Sequence, residues 1–167
     1  HWDSVIKVDK NILDWIKNSD KFKPKNIVLE SIKEISYALN ESIEKGDREF
    51  LISERIYKEM NSLFAKREFR LGGNGNNMGN ILFCLGLVPL VSYPIRPEKL
   101  MKKSPDFKVA VGNKLRIPKD AIRKEDQEYE HMVFESKNWR CILSWDLMSS
   151  QGIFDNDFLK MASNNRF

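Results

Sequence analysis

Apolar positions along this chain recur with two periods, three-to-four and two, which predict helices and half-buried strands respectively. Val5, Ile6 and Val8 form a β-prone run from Asp3 to Val8, after which Ile12, Leu13, Trp15 and Ile16 step at helical spacing. Pro24 resets the chain, and Val28, Ile32, Ile35, Leu39 and Ile43 then predict one helix from Asn26 to Lys45, stopped by Gly46. Arg48 to Ser53 reads as a strand, with Ser53 capping a helix that carries Ile56, Met60, Leu63 and Phe64 on one face. KREFRL, residues 66 to 71, alternates as a strand into RLGGNGNNMGN, residues 70 to 80. Met78, Ile81, Leu82 and Leu85 predict a helix ended by Gly86, and LVPLVSY at 87 to 93 a buried strand, which completes a βαβ unit.

FKVAVGNKLRI, residues 107 to 117, sets Gly-Asn between two alternating runs, a strong hairpin signal. EHMVFES at 130 to 136 and RCILSWD at 140 to 146 predict two strands paired antiparallel, and Phe158, Leu159 and Ala162 a helix from Asn156 to Ala162. The fold class this implies is α/β, with antiparallel strands added to a partly parallel sheet.

Composition narrows the function classes. The 167 residues, 41% of them hydrophobic, suffice for an ordinary domain core without disulfide or metal staples. Lys and Arg outnumber Asp and Glu by 28 to 24, and the basic runs KFKPK and KLMKK are short, which argues against a nucleic-acid partner. Cys84 and Cys141 sit in apolar surroundings, so both are expected to be buried free thiols in a reducing, cytoplasmic setting. No apolar run approaches the roughly 20 residues of a membrane span. The chain opens HWDSVIKV without a methionine and closes NNRF, and reads as a piece of something longer.

The glycines between strand and helix at 70 to 80 are the first candidate site. Without a Cβ they let main-chain amides, and the positive end of a helix dipole, approach a ligand closely. The pattern is neither a dinucleotide fingerprint nor a P-loop, because the next segment ends Ser-Tyr-Pro and no Gly-Lys-Ser/Thr follows. Asn74, Asn76 and Asn77 both donate and accept, as hydroxyl groups do, which points to a polyol; the glycines also suit a closely packed helix start. Asp3, at the beginning of the first strand, can accept two sugar hydroxyls. Alternation on the strand at 131 to 136 places His131, Val133 and Glu135 on one side. Cys/His zinc spacing and a Ser-His-Asp order are both missing.

Taken together, these stretches resemble the ADP-dependent sugar kinases, glucokinase and phosphofructokinase, of the ribokinase superfamily. RLGGNGNNMGN resembles the family's Arg-Met-Gly-Gly-Gln turn and the helix after it. VGNKLRIPKDAIRKED followed by EHMVFES is similar to its Gly-Asn-Lys-Leu, Pro-Lys-Glu-Ala and His-Phe-Ile-Phe-Glu-Phe succession, and HWDSVIKV to its first strand. The resemblance implies a ribokinase-like fold with a large α/β domain and a small, mostly β lid, the lid drawn from segments of roughly 47–71 and 105–146. It implies sugar contacts at Asp3, Gly72, Gly73, Asn74 and His131, with Glu49 matching a glutamate associated with glucose. His1, Asn74, Gly79 and Ser136 depart from the usual asparagine, glutamine, alanine and aromatic residue, and bear on sugar identity.

One absence is larger. The superfamily's Gly-x-Gly-Asp segment, which carries the catalytic aspartate, occurs nowhere in the chain; QGIFDND at 151 to 157 lacks the second glycine. The resemblance thus covers the front part of a kinase that moves the β-phosphate of ADP to glucose or fructose 6-phosphate and gives AMP. Mg2+ would arrive with ADP in the complete enzyme, and none would be bound by this segment. A noncatalytic sugar-binding or regulatory module and an ATP-dependent kinase of the same superfamily are the alternatives.

Overall fold

The computed structural model describes residues 2–145 and 153–164. The order of elements is β1 Trp2–Lys7, α1 Lys10–Asn18, β2 Val28–Leu29, α2 Ile32–Lys45, β3 Arg48–Ile52, α3 Glu54–Leu63, β4 Glu68–Leu71 and α4 Asn74–Cys84. Then come α5 Glu98–Lys103, β5 Val109–Val111, β6 Lys114–Arg116, a 3-10 turn at Pro118–Asp120, β7 Glu130–Glu135, β8 Arg140–Ser144 and α6 Asn156–Asn164. The described residues fall into two compact units, one within 3–70 and 130–146, the other within 1–2, 71–129 and 147–167. The α/β class expected from the sequence is the one found.

In the first unit the strands form a mixed sheet in the order β2-β3-β8-β7-β1-β4. The β2–β3 and β3–β8 pairs are parallel, and β7–β8 is antiparallel with His131 opposite Ser144 and Glu135 opposite Arg140. Met132 and Phe134 of β7, Cys141 and Leu143 of β8, Ile52 of β3 and Ile6 of β1 all turn toward the helices. There they meet Ile16 of α1, Ile35, Ala38 and Leu39 of α2, and Ile56 and Met60 of α3. Each helix thus contributes an apolar stripe to one face of the sheet.

Helix starts are set by side-chain caps. Asp9 accepts from the Ile12 amide and Ser53 from the Ile56 amide. Ser31 accepts from the Glu34 amide while Glu34 reaches back to the Glu30 amide at 2.7 Å, a capping-box arrangement that begins α2 at Ile32. This corrects the single helix expected from Asn26: Val28 and Leu29 instead pair with Leu51 and Ile52 as a short parallel strand. Val28 falls by coincidence on the helical spacing of the residues after it.

The second unit is built on α4, α5, α6 and the β5–β6 hairpin, around Val91, Tyr93, Leu100, Met101, Phe107 and Val109. The hairpin has the expected Gly112-Asn113 turn, and positive φ is confined to Gly112 at 57°, the type II′ pattern. The buried strand expected at 87–93 does not form. Pro89 has no N–H to donate and Pro94 ends the segment, so pairing shrinks to one bridge, in which Val91 N donates to Lys108 O and Lys108 N to Pro89 O, both at 2.8 Å. The βαβ unit expected there is therefore incomplete. Cys141 is buried as expected but Cys84 is exposed, because it lies on the outer side of α4. The expected strand 140–146 ends at Ser144, and Asp146, like His1, lies outside the described residues.

Candidate functional site: a polar sheet face and a glycine-started helix

Helices cover one side of the six-stranded sheet, and the residues that alternate away from them form the other. On β7 these are His131, Val133 and Glu135, as the two-residue period predicts, and the register with β8 adds Ser144, Ile142 and Arg140. The pairing of β3 with β8 adds Glu49 beside Ile142. On β1, Lys7 bonds Glu135, so Val5 and Asp3, two and four residues earlier in the alternation, share this face. Asp3, Glu49 and His131, three of the expected sugar-contact residues, thus project from one surface of one sheet.

Charge pairs order this face. Glu135 is half-buried between Lys7 and Arg70, whose cations hold its carboxyl below the usual carboxylate range. A carboxylate held that way accepts hydrogen bonds well and is a poor proton acceptor in catalysis. Arg140 grips Asp47 through Nε at 3.1 Å and Nη2 at 2.7 Å, and lowers the Asp47 carboxyl in turn. The buried hydroxyl of Ser144 donates to Glu49 Oε1, which orients that carboxylate. Val5 and Val133 lie among these groups. Both valines are themselves buried, so what this face offers a ligand is its carboxylates, a hydroxyl and an imidazole, groups that pair with hydroxyls. Sequence reasoning missed Arg140, Ser144 and Asp47; the even positions of RCILS, opposite Cys141 and Leu143, carried a signal for the first two.

The glycine turn belongs to the second unit. Gly73 stands at the N-cap of α4 with φ 88°, and no side chain caps the first amides of the helix. Gly72 is buried, Gly73 partly so, and Asn74 is exposed at the first helical position. The helix begins at Asn74, four residues earlier than the apolar spacing from Met78 suggests.

Asn76 has a different task from the polyol contact expected of it. It is buried, its Nδ2 donates to Gly72 O at 2.7 Å, and its Oδ1 accepts from the Tyr93 hydroxyl. Tyr93 also contacts Ser104 Oγ at 3.0 Å. The asparagine is spent on holding the turn. Asn74 and Asn77 remain on the exposed side.

Arg96 and Asp155 anchor the second unit further along, both almost wholly buried. Arg96 Nη2 donates to Asp155 Oδ1 at 3.1 Å and its Nε to Tyr93 O at 3.1 Å, while Tyr93 N donates to Asp155 Oδ2 at 2.9 Å. Asp155 also caps α6 through the Phe158 amide. In the string QGIFDND, therefore, Asp155 is a structural acid. Among the described residues no group of three or more His, Cys, Asp or Glu is placed to hold a metal ion. No helix among them is long and apolar enough to cross a membrane.

Comparison with known proteins bears on the fold. No protein-family model matches this sequence, and no curated protein sequence matches it. Solved structures do. A hypothetical ADP-dependent phosphofructokinase from Pyrococcus horikoshii OT3 superposes with a TM-score of 0.61 at 17% identity, over 86% of this chain and 39% of that one. A phosphofructokinase from the same organism, solved with AMP, gives 0.58 at 16% identity over the same shares. A reconstructed last common ancestor of the ADP-dependent phosphofructokinases from Methanosarcinales gives 0.50 at 16% identity, over 86% and 36%. The chain spans about two fifths of the length of these kinases.

Proposed function

We propose that this chain, whose fold is that of part of the ADP-dependent phosphofructokinases, is the sugar-binding and lid portion of a sugar kinase. The complete enzyme would transfer the β-phosphate of ADP to a hexose or hexose phosphate, glucose or fructose 6-phosphate, and release AMP. The observation that carries the reading is the joint presence of this fold and of Asp3, Glu49 and His131 on one polar sheet face. The proposed lid segments, roughly 47–71 and 105–146, carry six of the eight strands, β3 to β8.

Phosphoryl transfer depends chiefly on placing the reactants in line, stabilising charge on the phosphoryl oxygens and excluding water. In this reading Asp3 and Glu49 accept from sugar hydroxyls and His131 bonds a third, all within the first unit; Gly73 and Asn74, in the second unit, are sugar contacts on the resemblance alone. Mg2+ carried by ADP would supply charge neutralisation at the phosphates. With the Gly-x-Gly-Asp segment missing from the sequence, the general base would come from polypeptide other than these residues. That same absence favours a noncatalytic sugar-binding module as the second reading.

Calorimetric titration with glucose and with fructose 6-phosphate tests the sugar site. Asn74→Ala leaves a hydroxyl unpaired and is expected to cost about 1 to 3 kcal/mol, a fall of roughly 5- to 150-fold in affinity. Equal affinity of both forms for both sugars refutes the site. Turnover assays of the chain with ADP and with ATP should stay at background; turnover with either refutes the assignment of the base elsewhere, and the nucleotide used tells the two kinases apart.

A further inference from the structure

Helix α4 is apolar on two sides. Its inner side packs into the second unit: a Cβ on Gly79 would fall 2.9 Å from Val91 Cγ2, and the Phe83 ring meets Phe107 edge-on at 5.8 Å. On its outer side Met78, Ile81 and Leu85, spaced three and four apart, are 59%, 56% and 71% exposed. Leu87 and Val88 follow directly and are exposed as well. The helix also exposes Asn77 and Asn80, but uncharged apolar side chains exposed together on one helix face mark an interface.

The sequence around it agrees. Residues 71–95 contain no Asp, Glu, Lys or Arg, in a chain where 31% of residues are charged. Solvated helix faces carry charges, whereas the centres of interfaces are depleted of them. The occupant is suggested by the structural match, which uses 86% of this chain and only 39% of the kinase. In a layered α/β domain the remaining polypeptide must bury its own apolar faces, and the outer side of α4 offers one.

We propose that the outer face of α4, from Met78 to Val88, is the docking surface for polypeptide that continues the kinase fold beyond the part matched by this chain. The inference rests on the fold named under the proposed function and not on the sugar site. Photo-cross-linking reads it directly: p-benzoylphenylalanine replaces Leu85 in the native gene, the cells are irradiated, and the linked peptides are sequenced. The expected result is a link to a segment that extends the structural match past its present 39%, with one polypeptide or two revealed by whether the linked peptides share a chain. Double substitution of Met78 and Ile81 by Asp should reduce that link at least tenfold. Links to residues 77–88 of a second copy, links to residues 3–70 of the same chain, or a yield no greater than from the same probe at Lys17 overturn the proposal. Sugar titration of the isolated chain runs in parallel. Retained sugar binding without the expected link sinks the docking surface alone, and the expected link without sugar binding sinks the sugar site alone.

Discussion

Asp155→Ala tests whether the buried ion pair holds the second unit together. The carboxylate accepts from Tyr93 N, Arg96 Nη2 and Phe158 N at 2.9 to 3.1 Å, so one substitution removes three bonds, a helix cap and a buried charge. Removing one partner of a buried pair costs about 3 to 5 kcal/mol, because the other charge stays buried without compensation. Losing the α6 cap adds about 1 kcal/mol. Two features reduce the total: Arg96 keeps its bond to Tyr93 O, and Asp157 Oδ2 lies 3.9 Å from Nη2 and can move closer. The expected loss is about 3 kcal/mol, confined to the second unit.

Hydrogen exchange reads this unit by unit. The Val91 amide, bonded to Lys108 O, should exchange about 100-fold faster in the variant, since each 1.4 kcal/mol is a factor of ten. The Val133 and Ile142 amides in the sheet of the first unit should be unchanged. Replacing the pair together, Arg96→Met with Asp155→Leu, should recover most of the protection. A Val91 rate within threefold of the parent, or equal acceleration in both units, would refute the reasoning.

Three further outcomes follow from the geometry. Gly79→Ala gains about 1 kcal/mol of helix propensity but places its Cβ 2.9 Å from Val91 Cγ2 and 3.3 Å from the Phe107 ring; an overpacking cost of about 1 to 3 kcal/mol lowers the thermal midpoint, and Val91→Ala restores it. A higher midpoint for Gly79→Ala alone contradicts this packing. Glu135→Gln removes a carboxylate whose pKa is depressed on folding, so the stability it contributes is complete above the ordinary value of 4.5 and fades as pH falls below it. With Lys7 well exposed, the parent should exceed the variant by about 1 kcal/mol or less at neutral pH, and denaturation series should converge toward acid; divergence toward acid counts against the pairing. Of the two thiols, Cys84 should react at once with an aromatic disulfide at pH 8, while Cys141, buried and pushed up to about 12, should react only in denaturant. Two rapidly reacting thiols in the native protein would contradict that.

The signals that read correctly in the sequence are short-range. Ser53 and the stripe Ile56, Met60 define α3, Gly112-Asn113 closes the hairpin, and the alternation of His131, Val133 and Glu135 against Met132 and Phe134 sets the faces of β7. Each depends on backbone preference and side-chain period within a few residues. The Ser31–Glu34 cap is a short-range signal of the same kind, and it marks the start of α2 more reliably than the spacing from Val28.

What sequence alone determined is therefore local: element type, helix caps, turn chemistry and which residues of a strand look the same way. Tertiary structure decided which polar groups are available. Asn76 is consumed by Gly72 and Tyr93, Arg96 is buried against an aspartate 59 residues away, and Glu135 is clamped by Lys7 and Arg70 from two other strands. Burial and pairing are sums over neighbours distant in the chain, and only the assembled sheet brings Asp3, Glu49 and His131 to one face.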